Sequence, residues 1–287
     1  MPLSADMAGT SGKQRRADNP LPELLALGRP LIMGILNVTP DSFSDGGQFL
    51  DPSSALHQAR RLIAEGADIL DIGAESSRPY GGAVPVSFEE EICRLAPVLP
   101  TAAALGAPVS IDTMKAKVAD WALGSGASII NDVWGLQRED GMARVAARHD
   151  APVIIMHNRE AADPSIDIMI EIAEFFARSL QIAARAGLAR EQIVLDPGIG
   201  FGKTPEQSMI AIARLGELRS FGLPILVGAS RKRFIAKISP AKPDQRVGGS
   251  VAAHLLAVAN GAAIVRTHDV AETVQALRVT AAIEALR

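Results

Sequence analysis

Met33-Gly34-Ile35-Leu36-Asn37-Val38-Thr39-Pro40-Asp41-Ser42-Phe43-Ser44-Asp45-Gly46-Gly47 changes character at Asn37. The apolar part reads as a buried strand that delivers a polar side chain to a rim. The part that follows, with its acids, hydroxyls, Pro and Gly, reads as a mobile loop. Chemistry is commonly placed on such loops, held by a rigid scaffold. Taken alone, the segment also fits an ordinary strand and turn. The remainder of the chain separates the two.

Short β-branched runs recur at intervals of roughly 30 residues, the size of a strand–helix–strand unit. They are Leu31–Leu36, Ile69–Gly73, Val109–Asp112, Ser128–Asn131, Val153–His157, Ile193–Asp196, Ile225–Gly228 and Ala263–Arg266. Each is almost continuously apolar, as parallel strands covered on both faces should be. Stretches with helical spacing lie between them, among them Ser53–Glu65, Met114–Leu123, Ile168–Ala186 and Gly249–Ala259. Several are followed by a helix-ending glycine, such as Gly66 or Gly187. Eight such units predict an α/β fold, a single (β/α)8 TIM barrel. A doubly wound open sheet is the alternative; it usually has fewer strands and often a Gly-rich first turn, absent here.

No linker divides the barrel, which is expected to span residues 29–287. Residues 1–28 lack apolar periodicity and are expected to form a flexible N-terminal extension, without the apolar centre of a signal peptide. The chain has 287 residues, 48% of them hydrophobic, so a large core is available. Net charge is −3, which gives no basic excess for nucleic acid or an anionic membrane. The most apolar window, Val247–Val265, holds His254, Asn260 and three glycines, and reads as helix, turn and strand rather than a membrane span. The single Cys93 excludes a disulfide framework and suits a reducing cytoplasm; its helical setting reads as packing.

The strand ends carry polar residues. They are Asn37, Asp71 (met within the second run), Asp112, Asn131-Asp132, His157-Asn158, Asp196, Ser230-Arg231-Lys232 and Arg266-Thr267-His268-Asp269. In this fold the C-terminal rim is the active face. One or two such residues would be helix caps, but caps do not account for all of them. Asp112, Asn131, Asp196 and Lys232 would line a pocket for a flat heterocycle rich in N–H groups, with Lys232 balancing the acids. Arg266 offers a fork for phosphate oxygens, and His268 a second donor. Asn37 supplies a hard oxygen suited to Mg2+ that keeps waters and bridges phosphates. Two other patterns lead elsewhere. Gly198-Ile199-Gly200-Phe201-Gly202-Lys203-Thr204 looks like a phosphate-binding loop, but Pro197 stands where its leading glycine is required. His57, His149 and His254 lie in helical stretches without a partner at zinc spacing.

Seven segments together resemble the dihydropteroate synthase family. They are the Asn37 segment, Asp71–Pro79, Ser110–Thr113, Ile130–Val133, Asp196–Lys203, Ser230–Lys232 and Arg266–Asp269. They follow that family's order and run from Leu31 to the C-terminus. The resemblance implies a pterin-binding TIM barrel, usually a homodimer, that uses Mg2+ in folate synthesis. It implies condensation of 6-hydroxymethyl-7,8-dihydropterin diphosphate with 4-aminobenzoate to 7,8-dihydropteroate, the step that sulfonamides block. Carried over by position, Asp112, Asn131, Asp196 and Lys232 match the pterin pocket, with Met156 as a wall. Asn37, Arg266 and His268 match the diphosphate and Mg2+ site. Asp45 belongs to the first loop. Ser77, Arg78, Pro79, Phe201 and Arg233 match the aminobenzoate side. Asp45, Asp112, Asp196 and Lys232 are thus the expected catalytic residues.

Three segments depart from the family's common pattern. The second loop carries Ala74, Ser77 and Tyr80 where Gly, Thr and Gly are usual. Arg233 stands where many members have Ser, and His157-Asn158-Arg159-Glu160 replaces a more usual His-Met-Gln-Gly. Rival readings are a methyltetrahydrofolate-dependent corrinoid methyltransferase, which needs no diphosphate site, a pterin-binding paralogue without turnover, and an unrelated phosphate-binding barrel enzyme.

Overall fold

The computed structural model describes residues 19–39, 52–75 and 86–287. Within them the strands are β1 (Leu31–Asn37), β2 (Ile69–Gly73), β3 (Val109–Asp112), β4 (Ile129–Asp132), β5 (Val153–Met156), β6 (Ile193–Asp196), β7 (Leu226–Val227) and β8 (Ile264–Thr267). All pairings are parallel, in the order β6-β5-β4-β3-β2-β1-β8-β7. A parallel bridge between Leu195 and Ile225 joins the two ends, so the sheet closes into a barrel with the helices outside. The predicted TIM barrel is the observed fold. The seventh strand is shorter than predicted: Pro224 before it lacks an N–H, and only Leu226 and Val227 pair with β8.

Side chains alternate between the two faces of each strand. One set, with Leu31, Met33, Ile69, Ile129, Ile154, Val194, Leu226 and Ile264, packs inside the barrel. The other set, with Ile32, Leu36, Leu70, Ile72, Ile111, Ile130, Ile155 and Leu195, packs under the helices. Both sets are buried, which is why the strands read as unbroken apolar runs. The same alternation positions the polar residues. Counting by twos from the inner set gives Asn37, Asp71, Asn131, Met156, Asp196 and Arg266, so all face the barrel axis.

Residues 19–28, read from the sequence as part of a flexible extension, include a helix at Leu21–Leu25. Its Leu21 is 1% exposed and joins the inner apolar set, opposite the polar rim. Cys93 corrects another expectation: it is exposed, because it lies on the outer side of the helix Phe88–Leu95, whose buried positions are Glu91 and Leu95. No helix among the described residues is long and apolar enough to cross a membrane.

Candidate active site

Asp112, Asn131, Met156, Asp196, Phe201, Lys232 and Arg266 line one cavity at the C-terminal end of the barrel, with Val133, Ile199 and Gly228 between them. Strand register sets the neighbours: Asp112 sits beside Asn131, and Met156 beside Asp196. Lys232 enters from the turn after β7 as the residue capping the helix Arg233–Ile238. Its Nζ lies 4.0 Å from the Phe201 ring centre, a cation over an aromatic face.

Charge is concentrated here and shielded from water. Burial pushes the Asp112 carboxyl up to about 7; Arg266 pulls it down, while Asp71 and Glu91 add to the rise. Burial pushes Asp196 up to about 6, although the Gly198 N–H, donated to Oδ1 at 2.7 Å, and the Lys232 charge pull it back. The neighbouring Asp132 has a structural task, accepting the backbone N–H groups of Trp134 and Leu136 at 2.9 and 2.7 Å.

Arg266, expected at the diphosphate end, lies along the ring cavity. Its Nε donates to Asp71 Oδ2 at 2.6 Å and its Nη2 to Asp112 Oδ2 at 2.8 Å. Burial would lower its pKa, but Asp71 and Asp112 outweigh that and hold it above the usual value. His268 lies near the rim with Nδ1 2.9 Å from Ser230 Oγ. Burial and the nearby Arg266 push its pKa down to about 3, so the ring is neutral at pH 7. The Ser230 hydroxyl also accepts the His268 backbone N–H at 3.2 Å. When Ser230 donates its proton to Nδ1, the imidazole proton sits on Nε2 as a donor. Asn37 ends β1, half-buried. Arg233 is exposed at the first turn of its helix. Asp45, Ser77, Arg78, Pro79 and Tyr80 lie outside the described residues.

Some residues hold roles that the sequence reading did not give them. Asp71 is fully buried and bonded to both Arg266 and Asn131. The signal was present, a lone acid inside an apolar strand. Lys203 ends the loop that resembled a phosphate cradle, yet it is buried. Its Nζ meets His157 Nδ1 at 2.6 Å and donates to the Gly198 and Phe201 carbonyls at 2.9 and 3.1 Å. It therefore ties down the loop that carries Phe201. Gly198 permits the turn: its φ is +66°, and a Cβ there would come within 1.9 Å of the His157 carbonyl oxygen. Thr204 caps the next helix through the Gln207 N–H. Finally, Lys115 bridges Glu75 and the fully buried Glu91, and Glu75 accepts the Val86 N–H at 3.2 Å. This network joins the chain on either side of residues 76–85.

The pterin binding enzyme family matches residues 33–268. The dihydropteroate synthase of Bacillus subtilis is 45% identical over 243 residues, 84% of each chain. A Clostridium difficile dihydropteroate synthase crystallised with pteroic acid superposes with a TM-score of 0.85 at 47% identity, covering 89% of this chain and 97% of that one. The Xanthomonas albilineans enzyme with 4-aminobenzoic acid gives a TM-score of 0.86 at 44% identity, covering 90% and 94%. A cavity with paired acids, an amide and a lysine, at the rim of a barrel with this sequence likeness, identifies the chain as a member of the pterin-binding enzyme family and, within it, of the dihydropteroate synthases, transferases of folate biosynthesis.

Proposed function

We propose that this chain joins 6-hydroxymethyl-7,8-dihydropterin diphosphate to 4-aminobenzoate by a dissociative path. The observation that carries this reading is the grouping of Asp112, Asn131, Asp196 and Lys232 around one cavity. The acids and the amide accept ring N–H groups, and Lys232 donates to the ring carbonyl. Met156 and Phe201 supply apolar walls for a flat ring.

Asn37 fits Mg2+ by the chemistry of its amide oxygen. Among the described residues no group of three or more His, Cys, Asp or Glu could enclose a metal. Bound at Asn37, Mg2+ would neutralise charge on the departing diphosphate. Arg266, through its Nη1, and His268, through Nε2, would donate to the same anion. The electron-rich dihydropterin can carry positive charge on its exocyclic methylene. Asp112 and Asp196 would stabilise that cation, and the family resemblance assigns Asp45 to the same task. The arylamine is neutral near pH 7, so attack needs no strong base. Phe201 and Arg233 would serve the aminobenzoate side, with Ser77, Arg78 and Pro79 assigned to it by the family resemblance alone.

We further propose a cytoplasmic homodimer. Exposed Leu256, Val279 and Ile283 on the adjoining helices Val247–Ala259 and Val270–Glu284 offer an apolar face for a second copy. The reaction is tested with arylamines of graded nucleophilicity in single turnovers. A dissociative path gives one rate of pterin consumption across the series. A rate that rises steeply with nucleophilicity refutes that path, and no dihydropteroate from 4-aminobenzoate itself refutes the reaction.

A further inference from the structure

Asp71 is an acid in the middle of an apolar strand, with none of its surface exposed. It faces into the barrel one layer below the rim, paired in register with Ser110, two residues before Asp112. Its Oδ2 accepts two N–H donors, Arg266 Nε at 2.6 Å and Asn131 Nδ2 at 3.1 Å, and lies in an ion pair 2.5 Å from Arg266 Nη2, whose own hydrogen bond goes to Asp112. The bond from Asn131 decides how its amide sits. Turned over, it would press Oδ1 against the Asp71 oxygen, an acceptor against an acceptor. The amide nitrogen must therefore face Asp71. Asn131 Oδ1 is left buried and without a hydrogen-bond partner among the described residues, in a side chain that lines the ring cavity. Native structures leave few such atoms, and one beside a cavity marks a place for a donor from a ligand.

We propose that Asp71 is a positioning residue that sets the acceptor pattern of the cavity, and so its choice of heterocycle. By holding Asn131 Nδ2, it makes Asn131 Oδ1 face the ligand together with the carboxylates of Asp112 and Asp196. The cavity then presents acceptors on that side and selects a ring that brings N–H groups to it. A ring bearing an oxygen at the same place meets acceptors only and is rejected. This rests on the pterin-binding reading above. Asp71 also fixes Arg266 along the cavity, so one buried acid orients two ligand-facing groups.

The test exchanges donor and acceptor. Asp71→Asn, Asn131→Asp and the double exchange are nearly isosteric. Calorimetric titration of the full chain compares 6-hydroxymethylpterin with the analogue carrying oxygen in place of the 2-amino group. The wild type should favour the amino compound by at least about 100-fold, because an unpaired polar group in a buried site is penalised heavily. In Asp71→Asn the Asn131 amide is free to turn, and the preference should shrink about tenfold or more. Asn131→Asp places two carboxylates together and should weaken both ligands. The double exchange restores one donor and one acceptor between the pair, with an acceptor again toward the ring, and should recover most of the preference. A merely structural role for Asp71 would change stability without changing the ratio of the two affinities. An unaltered ratio in Asp71→Asn, or a double exchange no better than the single variants, would overturn the proposal. If a single variant does not fold, the double exchange decides alone. A wild type that binds neither compound overturns the pterin reading itself, and the proposal with it.

Discussion

Asp196→Asn should stabilise the ligand-free protein while abolishing its use. Burial lifts the Asp196 carboxyl from 3.8 to about 6 in the folded chain. The folded state therefore favours the protonated acid. Stability from this group is fully present below pH 3.8 and is lost as pH rises through about 6. At pH 8 the wild type carries the whole cost of a buried charge, roughly 3 kcal/mol. Asparagine keeps the shape and an oxygen for the Gly198 N–H but never ionises. A chain of this length unfolds with an entropy of about 0.6 kcal/mol/K, so the gain corresponds to a melting temperature higher by about 5 °C. Calorimetric melting without ligand, from pH 4 to pH 8, measures it. The difference between variant and wild type should be near zero at pH 4, grow through pH 6 and then level off. Titration with pterin should show binding in the wild type alone. A variant that melts lower at pH 8, or a difference independent of pH, would refute the claim that the site holds a charge at a cost to the fold.

Lys232→Ala should weaken pterin binding by roughly 2–5 kcal/mol, since it removes a half-buried donor and the balance to two buried acids; unchanged affinity in a titration would refute the pocket assignment. Asn37→Ala should raise the Mg2+ concentration needed for half-maximal turnover, and an unaltered Mg2+ titration would argue against a metal role. Lys203→Met strands the His157 Nδ1 and the Gly198 and Phe201 carbonyls. It should cost about 3 kcal/mol in denaturant unfolding and raise the KM for 4-aminobenzoate more than that for the pterin; equal KM changes would separate Lys203 from the Phe201 wall.

The barrel was legible because parallel strands buried on both faces leave unbroken apolar runs, and each run here is followed by a helix. The rim was legible for the same reason. Asp112, Asn131 and Asp196 end runs that are otherwise apolar, and the inward alternation brings them together with Lys232 and Arg266 in one cavity. What the sequence hid were the partners. Arg266 has the chemistry of a phosphate fork, but only the closed barrel brings it to Asp71 and Asp112, separated from it along the chain by 195 and 154 residues. Lys203 gave a misleading signal because glycines before a lysine suit both a phosphate cradle and a buried ammonium that ties a loop. Its three acceptors come from residues 157, 198 and 201, and local pattern carries no trace of that meeting. Cys93 was misread since a helical stretch does not by itself reveal which side faces the barrel.

Diphosphate release by the purified protein tests the central claim most directly. The protein would be given the pterin diphosphate and Mg2+, with and without 4-aminobenzoate. The account predicts sustained release only with the arylamine, matched one for one by 7,8-dihydropteroate. Pterin binding without release, or release not matched by dihydropteroate, would contradict it.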